Sequence, residues 1–141
     1  MYLISLRGNL NGEDRQKENK PYNVTEILKT GLHCWVDVWW RDELFYLGKD
    51  EPKYPVKPTF LNMFSLWCNA KDFNTYLRLI DIKTPHPFMY RDSPTLSYGG
   101  DIITAEHIEG RENRTILLTD DTIYSQIGLR GIVSANISDF Q

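Results

Sequence analysis

The sequence predicts a single α/β domain built on a mostly parallel sheet. The chain has 141 residues, of which 41% are hydrophobic, and this is enough material for one hydrophobic core. Short runs of β-branched and aromatic residues are bounded by Gly, Pro, Asn or Asp, a pattern typical of strands. Helical patterns separate several of these runs, and strands that alternate with helices favour parallel pairing through crossover connections.

Seven segments have the composition of strands. They are Tyr2–Leu6, Cys34–Trp39, Phe64–Ala70, Pro87–Tyr90, Asp101–Thr104, Thr115–Thr119 and Gly131–Ala135. One hairpin interrupts the parallel pattern, because Trp39-Trp40 and Leu44–Leu47 flank the turn residues Arg41-Asp42-Glu43.

Three connections between these strands are predicted to be helices, each with a candidate N-terminal cap. Asn23 and Glu26 resemble a capping box, and Gly31 ends that helix. Asp72 precedes apolar residues at helical spacing, and Asp121 precedes a third, shorter pattern.

Alternation along the second and third strands predicts one apolar face and one mixed face. The apolar face of the second strand suits packing beneath helices. The mixed face of the two strands consists of Trp35, Asp37, Trp39, Trp67, Asn69 and Lys71. A carboxylate placed between two indoles is explained either by a partly satisfied polar network or by a site, and both explanations stay open.

The composition predicts a mildly acidic, globular protein. A formal net charge of −3 argues against a nucleic-acid-binding surface, which is normally basic. No apolar run approaches the ~20 residues of a membrane-spanning helix, and the first residues lack the basic leader and apolar core of a signal peptide. We therefore expect a cytoplasmic protein without a membrane span, in which Cys34 and Cys68 are reduced, buried thiols.

Six short motifs occur in a fixed order along the chain. They are Leu6-Arg7-Gly8, Glu18-Asn19, Trp35-Val36-Asp37-Val38, Gly48-Lys49-Asp50-Glu51-Pro52, Asn69-Ala70-Lys71 and Gly131-Ile132-Val133-Ser134. In this order they resemble the glycerophosphodiester phosphodiesterases of the phosphatidylinositol-phospholipase-like superfamily. The matching family motifs are His-Arg-Gly, Glu-Asn, Glu-x-Asp-Val, His-Asp after a hairpin, Glu-x-Lys and Gly-Ile.

The resemblance implies a TIM-type (β/α) barrel whose site lies at the carboxyl ends of the strands. A typical barrel takes ~250 residues, so residues 1–141 are expected to form one minimal or incomplete barrel domain. We expect seven or eight mostly parallel strands and few helices. Apolar outer faces left uncovered by missing helices make a homo-oligomer a further expectation.

The family's catalytic positions are mostly replaced in this chain. The resemblance implies two histidines as general acid and base and carboxylates that hold a divalent metal. Leu6 and Lys49 stand at the histidine positions, while Trp35 and Asn69 stand at two metal-ligand positions. Of the metal-binding carboxylates only Asp37 is retained, as the candidate ligand for Mg or Ca if metal-dependent chemistry persists.

The groups that would bind phosphate are retained. Arg7 and Lys71 keep positions that approach the phosphate in the family, and Lys49 adds a third cation. The candidate ligand-binding residues are Arg7, Gly8, Glu18, Asn19, Trp35, Asn69 and Lys71. Lys49 and Asp50 are the candidates for any remaining catalysis. Tyr90, Arg91 and Asp92 end the fourth strand on the same side and are expected to add polar contacts.

These replacements predict a degenerate phosphodiesterase-like protein that binds a small phosphorylated or anionic molecule without efficient turnover and without a cofactor. One alternative is an active metal-dependent phosphodiesterase with a rearranged site. Another is a structural or interaction module in which Arg7, Asp37, Asp50 and Lys71 form an inert salt-bridge network. Of the histidines, His33 and His86 precede strands and are expected at the far end of the sheet, which leaves His107 near the site.

Overall fold

The computed structural model describes residues 1–141 and consists of strands joined by few helices. The strands are Tyr2–Leu6 (β1), His33–Arg41 (β2), Leu44–Leu47 (β3), Tyr54–Val56 (β4), Leu66–Ala70 (β5), His86–Phe88 (β6), Thr95–Leu96 (β7), Ile102–Thr104 (β8), Thr115–Leu118 (β9) and Gly131–Ser134 (β10). The α-helices are Pro21–Lys29 (α1), Pro58–Leu61 (α2) and Phe73–Asp81 (α3), and 3₁₀ helices span Glu112–Arg114, Thr122–Gln126 and Ile137–Phe140. No helix is both long and apolar enough to cross a membrane.

All ten strands belong to one sheet, and most of its pairings are parallel. The parallel strands follow the order β6-β5-β2-β1-β10-β9-β8. They correspond to the seven segments predicted from sequence, within one or two residues at each end. The antiparallel strands β3 and β4 branch from β2, and β7 pairs with β8.

The sheet curls around an inner hydrophobic cluster. Each of the seven parallel strands contributes one buried side chain to it: Ile4, Trp35, Trp67, Phe88, Ile103, Ile116 and Val133. Because β6 and β8 lie at opposite ends of the strand order and still share this cluster, the sheet is strongly curved. The ladder does not close between β6 and β8, although Tyr98 N donates to Pro87 O at 2.9 Å across the gap.

The opposite face of the sheet packs against α1 and α3 in a larger core. Cys34, Val36 and Val38 of β2 belong to this outer core, whereas Trp35 belongs to the inner cluster. The face assignment made from period-two alternation is therefore confirmed.

The predicted hairpin is confirmed, with a shorter turn. Strand β2 extends to Arg41, which pairs with Leu44. Only Asp42 and Glu43 form the turn, with φ values of 51° and 63°. Positive φ at both central residues is typical of the type I′ turns whose twist suits a tight hairpin.

Two of the three helix predictions need correction. The capping box at Asn23 is wrong, because α1 begins at Pro21 and the Asn23 amide donates instead to Gly8 O at 3.0 Å. After Asp121 the chain forms a 3₁₀ helix rather than an α-helix. The cap at Asp72 is confirmed, since its carboxylate accepts from Thr75 N at the start of α3.

Candidate functional site

A fully buried carboxylate, that of Asp37, organises the polar end of the curled sheet. Asp37 Oδ2 accepts from Arg7 Nε at 2.5 Å and from Asn19 Nδ2 at 3.0 Å. Its Oδ1 accepts from Trp35 Nε1 at 3.1 Å and from Asn69 Nδ2 at 3.0 Å. Four N–H groups therefore satisfy the carboxylate, and this explains how it can be completely buried.

Local backbone geometry brings two of these donors to Asp37. Arg7 and Asn19 both adopt left-handed conformations, with φ values of 60° and 58°. The Asn19 backbone N donates to Arg7 O at 2.8 Å, and the Asn19 side chain also accepts from Asp37 N at 2.8 Å. The loop after β1 thus folds back onto β2, so strain at both residues is offset by buried hydrogen bonds.

A cavity of about 330 Å³ opens above this network, and we call it the strand-end cavity. Six residues predicted for the site line it: Arg7, Trp35, Lys49, Asp50, Asn69 and Lys71. The remaining wall is made by Leu6, Tyr90, Asp92 and Leu118. Most of these residues lie at or just beyond the carboxyl ends of parallel strands, where polar side chains from several strands meet.

The hairpin returns the chain to the cavity so that Lys49 and Asp50 reach it. Gly48 N donates to Asp37 O at 3.1 Å, and Trp39 Nε1 donates to Gly48 O at 2.7 Å. A Cβ atom at Gly48 would lie 1.9 Å from Glu51 O, so only glycine allows this close turn.

The cations of the strand-end cavity have unused binding capacity. Lys49 and Lys71 have no carboxylate within 4.0 Å, and the only hydrogen bond of the Arg7 guanidinium is made through Nε. The Lys71 ammonium lies 5.9 Å from the centre of the Trp39 ring. Of the alternative salt-bridge network of Arg7, Asp37, Asp50 and Lys71, only the Arg7–Asp37 pair is present, so Lys71 is not held in an ion pair.

The carboxylates in the wall limit the net charge of the strand-end cavity. Asp50 and Asp92 line it together with three cations, and Asp37 neutralises Arg7 from beneath. Attraction for an anion must therefore come from short contacts with the free Nη edge of Arg7 and with the two lysines, rather than from a large net field.

Three residues predicted to bind the ligand do not line this cavity. Gly8 lies in the loop after β1, where its φ of +92° permits the turn and Asn23 closes over its carbonyl. Asn19 is 1% exposed, and its side chain is occupied by Asp37. Glu18 borders a separate cavity beside Lys49. The family resemblance gave the positions of these three residues in the chain, but the path of the folded loop decides which of their groups reach the cavity.

The link from Asn69 to the next strand was not predicted. Asn69 donates to Asp37 and accepts from Tyr90 N at 2.9 Å, so one amide joins the ends of β5 and β6. Burial raises the pKa of the Tyr90 phenol, and the nearby negative charges of Asp92 and Glu106 add smaller contributions in the same direction. Leu118 was also not predicted to line the cavity, although its position at the carboxyl end of β9 could have indicated it.

The donor set around Asp37 does not fit a divalent cation. Mg²⁺ and Ca²⁺ need several oxygen ligands, whereas both Asp37 oxygens face N–H groups and the neighbouring charge is the Arg7 guanidinium. The chain contains no group of three or more His, Cys, Asp or Glu side chains arranged for a metal.

Two histidines lie at the opposite end of the sheet, as predicted. His33 and His86 are the first residues of β2 and β6, and the His86 ring stacks on Trp67 at 4.0 Å. Burial lowers the pKa of both rings, that of His86 to about 4. His107 forms a 3.0 Å contact with Glu112 and does not line the strand-end cavity.

Comparisons with protein-family models, curated proteins and solved structures found no significant match to this chain.

Proposed function

We propose that this protein is an incomplete (β/α)-barrel relative of the glycerophosphodiester phosphodiesterases that binds a small phosphoester or other anion in the strand-end cavity without efficient turnover. The observation that carries the proposal is the convergence of Arg7, Lys49 and Lys71 on one cavity. These residues are far apart in the sequence, and each was expected at this place from the motif order alone.

The barrel part of the proposal is supported by the inner cluster and the strand order. One side chain from each of seven parallel strands packs in the interior of the curled sheet. Around the curve, β1, β2, β5 and β6 lie in chain order on one side, and β8, β9 and β10 continue that order on the other side back to β1, as in a barrel. The interior is filled with side chains and the polar cavity lies at the carboxyl ends, an arrangement characteristic of (β/α) barrels.

Anion binding is supported by the chemistry of the three cations. The free edge of the Arg7 guanidinium can donate two parallel hydrogen bonds to phosphate oxygens, and lysine ammonium groups supply compact positive charges. Asp37 holds Arg7 in place through Nε, so little side-chain entropy is lost when a ligand binds.

Inefficient turnover is supported by what lines the strand-end cavity. No histidine is among its lining residues, so the group best suited to move a proton near neutral pH is missing. Asp37 is saturated with donors and therefore poorly suited to bind a metal that would neutralise a phosphoryl group.

Titration calorimetry with inorganic phosphate and ethyl phosphate tests the proposal. We expect millimolar or tighter binding that weakens with added salt. Lys71→Ala should reduce the affinity at least tenfold, because it removes one of the three cations that line the cavity. Lys71 forms no ion pair whose loss would disturb the fold. Lys29→Ala removes the same charge from the outer surface of α1 and serves as the matched control.

Absence of binding to both compounds, or equal binding by Lys71→Ala and Lys29→Ala, would contradict the proposal. Incubation with glycerophosphodiesters and Mg²⁺ or Ca²⁺ tests the catalytic alternative. Turnover that is abolished by Asp37→Asn in a folded protein would favour the active phosphodiesterase instead.

A further inference from the structure

Glu18 is a buried carboxylate with an unsatisfied oxygen. The residue is 6% exposed, and Oε1 has no hydrogen-bond partner. Only one other buried side-chain atom, His86 Nε2, shares this condition. A buried acceptor without a partner is destabilising, and more so when it carries charge, so such an oxygen is expected to receive a donor from outside the chain.

Glu18 borders a small cavity next to the strand-end cavity, and we call it the Glu18 cavity. Its volume is about 150 Å³ and none of its lining residues is hydrophobic. Since a water molecule occupies about 30 Å³, the cavity has room for roughly five non-hydrogen groups of the size of water. Lys49 and Asp50 line both cavities and therefore form the boundary between them.

The charged groups around the Glu18 cavity do not pair with one another. Arg15, Lys49 and Lys53 face three carboxylates, those of Glu18, Asp50 and Glu51. None of these six side chains forms an ion pair within 4.0 Å. Because positive and negative groups are equal in number around this space, it favours neither a simple cation nor a simple anion.

We propose that the Glu18 cavity is a second subsite, in which Glu18 accepts a hydrogen bond from a hydroxyl or amino group of the same ligand whose anionic group lies in the strand-end cavity. The inference rests on the proposed function and specifies its ligand: an anion that bears a hydrogen-bond donor a few bonds away. Glu18 lines the space that would hold the donor-bearing group, and Lys49, which lines both cavities, lies where the two parts of such a ligand would meet.

Three phosphate monoesters of similar size test this subsite by calorimetry. Ethyl phosphate ends in a methyl group, 2-hydroxyethyl phosphate adds a hydroxyl, and 2-aminoethyl phosphate adds an ammonium. We expect at least one of the two donor-bearing esters to bind about tenfold more tightly than ethyl phosphate, the effect of one hydrogen bond to a charged acceptor. The donor that gains more identifies the class of ligand group.

Variants of Glu18 assign the preference to this side chain. Glu18→Leu removes the acceptor, so the three esters should bind alike. Glu18→Gln keeps an acceptor oxygen without the charge and should retain about threefold preference for the hydroxyl but none for the ammonium. Glu26→Leu, on the outer surface of α1, is the matched control and should preserve the wild-type pattern.

The results separate this inference from the proposed function. If ethyl phosphate binds in a Lys71-dependent way but the three esters bind equally to the wild type, the second subsite is wrong and the anion site stands. If a preference exists but persists in a folded Glu18→Leu variant, Glu18 is not the acceptor and the inference is overturned. If no ester binds, both fail.

Discussion

Removing the Asp37 carboxylate tests whether the buried network supports the polar end of the sheet. Asp37→Ala leaves the Arg7 guanidinium without its counter-ion and deprives Asn19, Trp35 and Asn69 of an acceptor. Breaking a buried ion pair costs about 3–5 kcal/mol, and each buried donor without a partner adds about 1–3 kcal/mol. These contributions overlap within one hydrogen-bond network, and the Arg7 side chain is 14% exposed and can partly rehydrate. We therefore expect a total loss of at least about 4 kcal/mol in the free energy of unfolding.

Urea unfolding followed by tryptophan fluorescence measures this loss. Such a loss would remove much of the stability of a typical domain, about 5–15 kcal/mol, so a protein without a cooperative transition also agrees with the expectation. Asp50→Ala, on an exposed residue of the cavity wall, is the control and should change stability by less than about 0.5 kcal/mol. Asp37→Leu combined with Arg7→Met removes both charges and should be at least about 1 kcal/mol more stable than Asp37→Leu alone. A cost below about 1 kcal/mol for Asp37→Ala would refute the reasoning, as would a double variant no better than the single one.

Two further predictions concern groups away from the cavity. Burial holds the pKa of His86 at about 4 and also lowers that of His33. Between about pH 4 and 6.5 the unfolded chain therefore binds more protons than the folded chain, so the free energy of unfolding should fall as the pH decreases through this window. A shift of this size in the pKa of His86 corresponds to about 3 kcal/mol, and the partial exposure of the ring reduces the expected effect to about 1–2 kcal/mol. His86→Phe should flatten the pH dependence of urea unfolding, and an unchanged slope in this variant would contradict the assignment. Burial raises the pKa of the Cys34 and Cys68 thiols to about 12. A thiol reagent at pH 8 should therefore label neither cysteine in the native protein and both in denaturant. Fast labelling of the folded chain would contradict their burial.

The parallel strands could be predicted because their signal is local. Each depends on a short apolar run between turn residues, and alternation assigned Val36 to the outer core and Trp35 to the inner cluster. Strands β4 and β7 were missed because neither lies in an apolar run, whereas the equally short β6 lies in the run Pro87-Phe88-Met89-Tyr90. Strand β4 is flanked by Lys53 and Lys57, and β7 consists of Thr95 and Leu96 alone. Such short segments become strands only because a neighbouring strand pairs with them.

The helix starting at Pro21 shows how a distant contact overrides a local signal. Asn23 carries a side chain suited to capping, yet its amide bonds to Gly8 and Lys17 in the loop after β1. Nothing in the residues around Asn23 indicates these partners. Capping at Asp72 was predictable because its partner, Thr75, lies three residues away.

The residues of the candidate site also divide into those that local sequence could place and those that depend on distant contacts. Residues that immediately follow strands, such as Arg7 and Lys71, could be placed by strand assignment, since the carboxyl ends of parallel strands meet at one edge. The roles of Asn19 and Glu18 could not, because both lie in a loop whose path depends on the left-handed turn at Arg7 and on the contact with Asp37.

Crystals soaked in tungstate test the central claim most directly, since this tetrahedral oxyanion resembles phosphate and its position can be measured by anomalous scattering. We predict one strong peak in the strand-end cavity, with tungstate oxygens about 2.7–3.2 Å from nitrogen atoms of Arg7, Lys49 and Lys71. The peak should disappear in Lys71→Ala crystals and persist in Lys29→Ala crystals. An empty cavity, with tungstate bound only at other surfaces, would contradict the account.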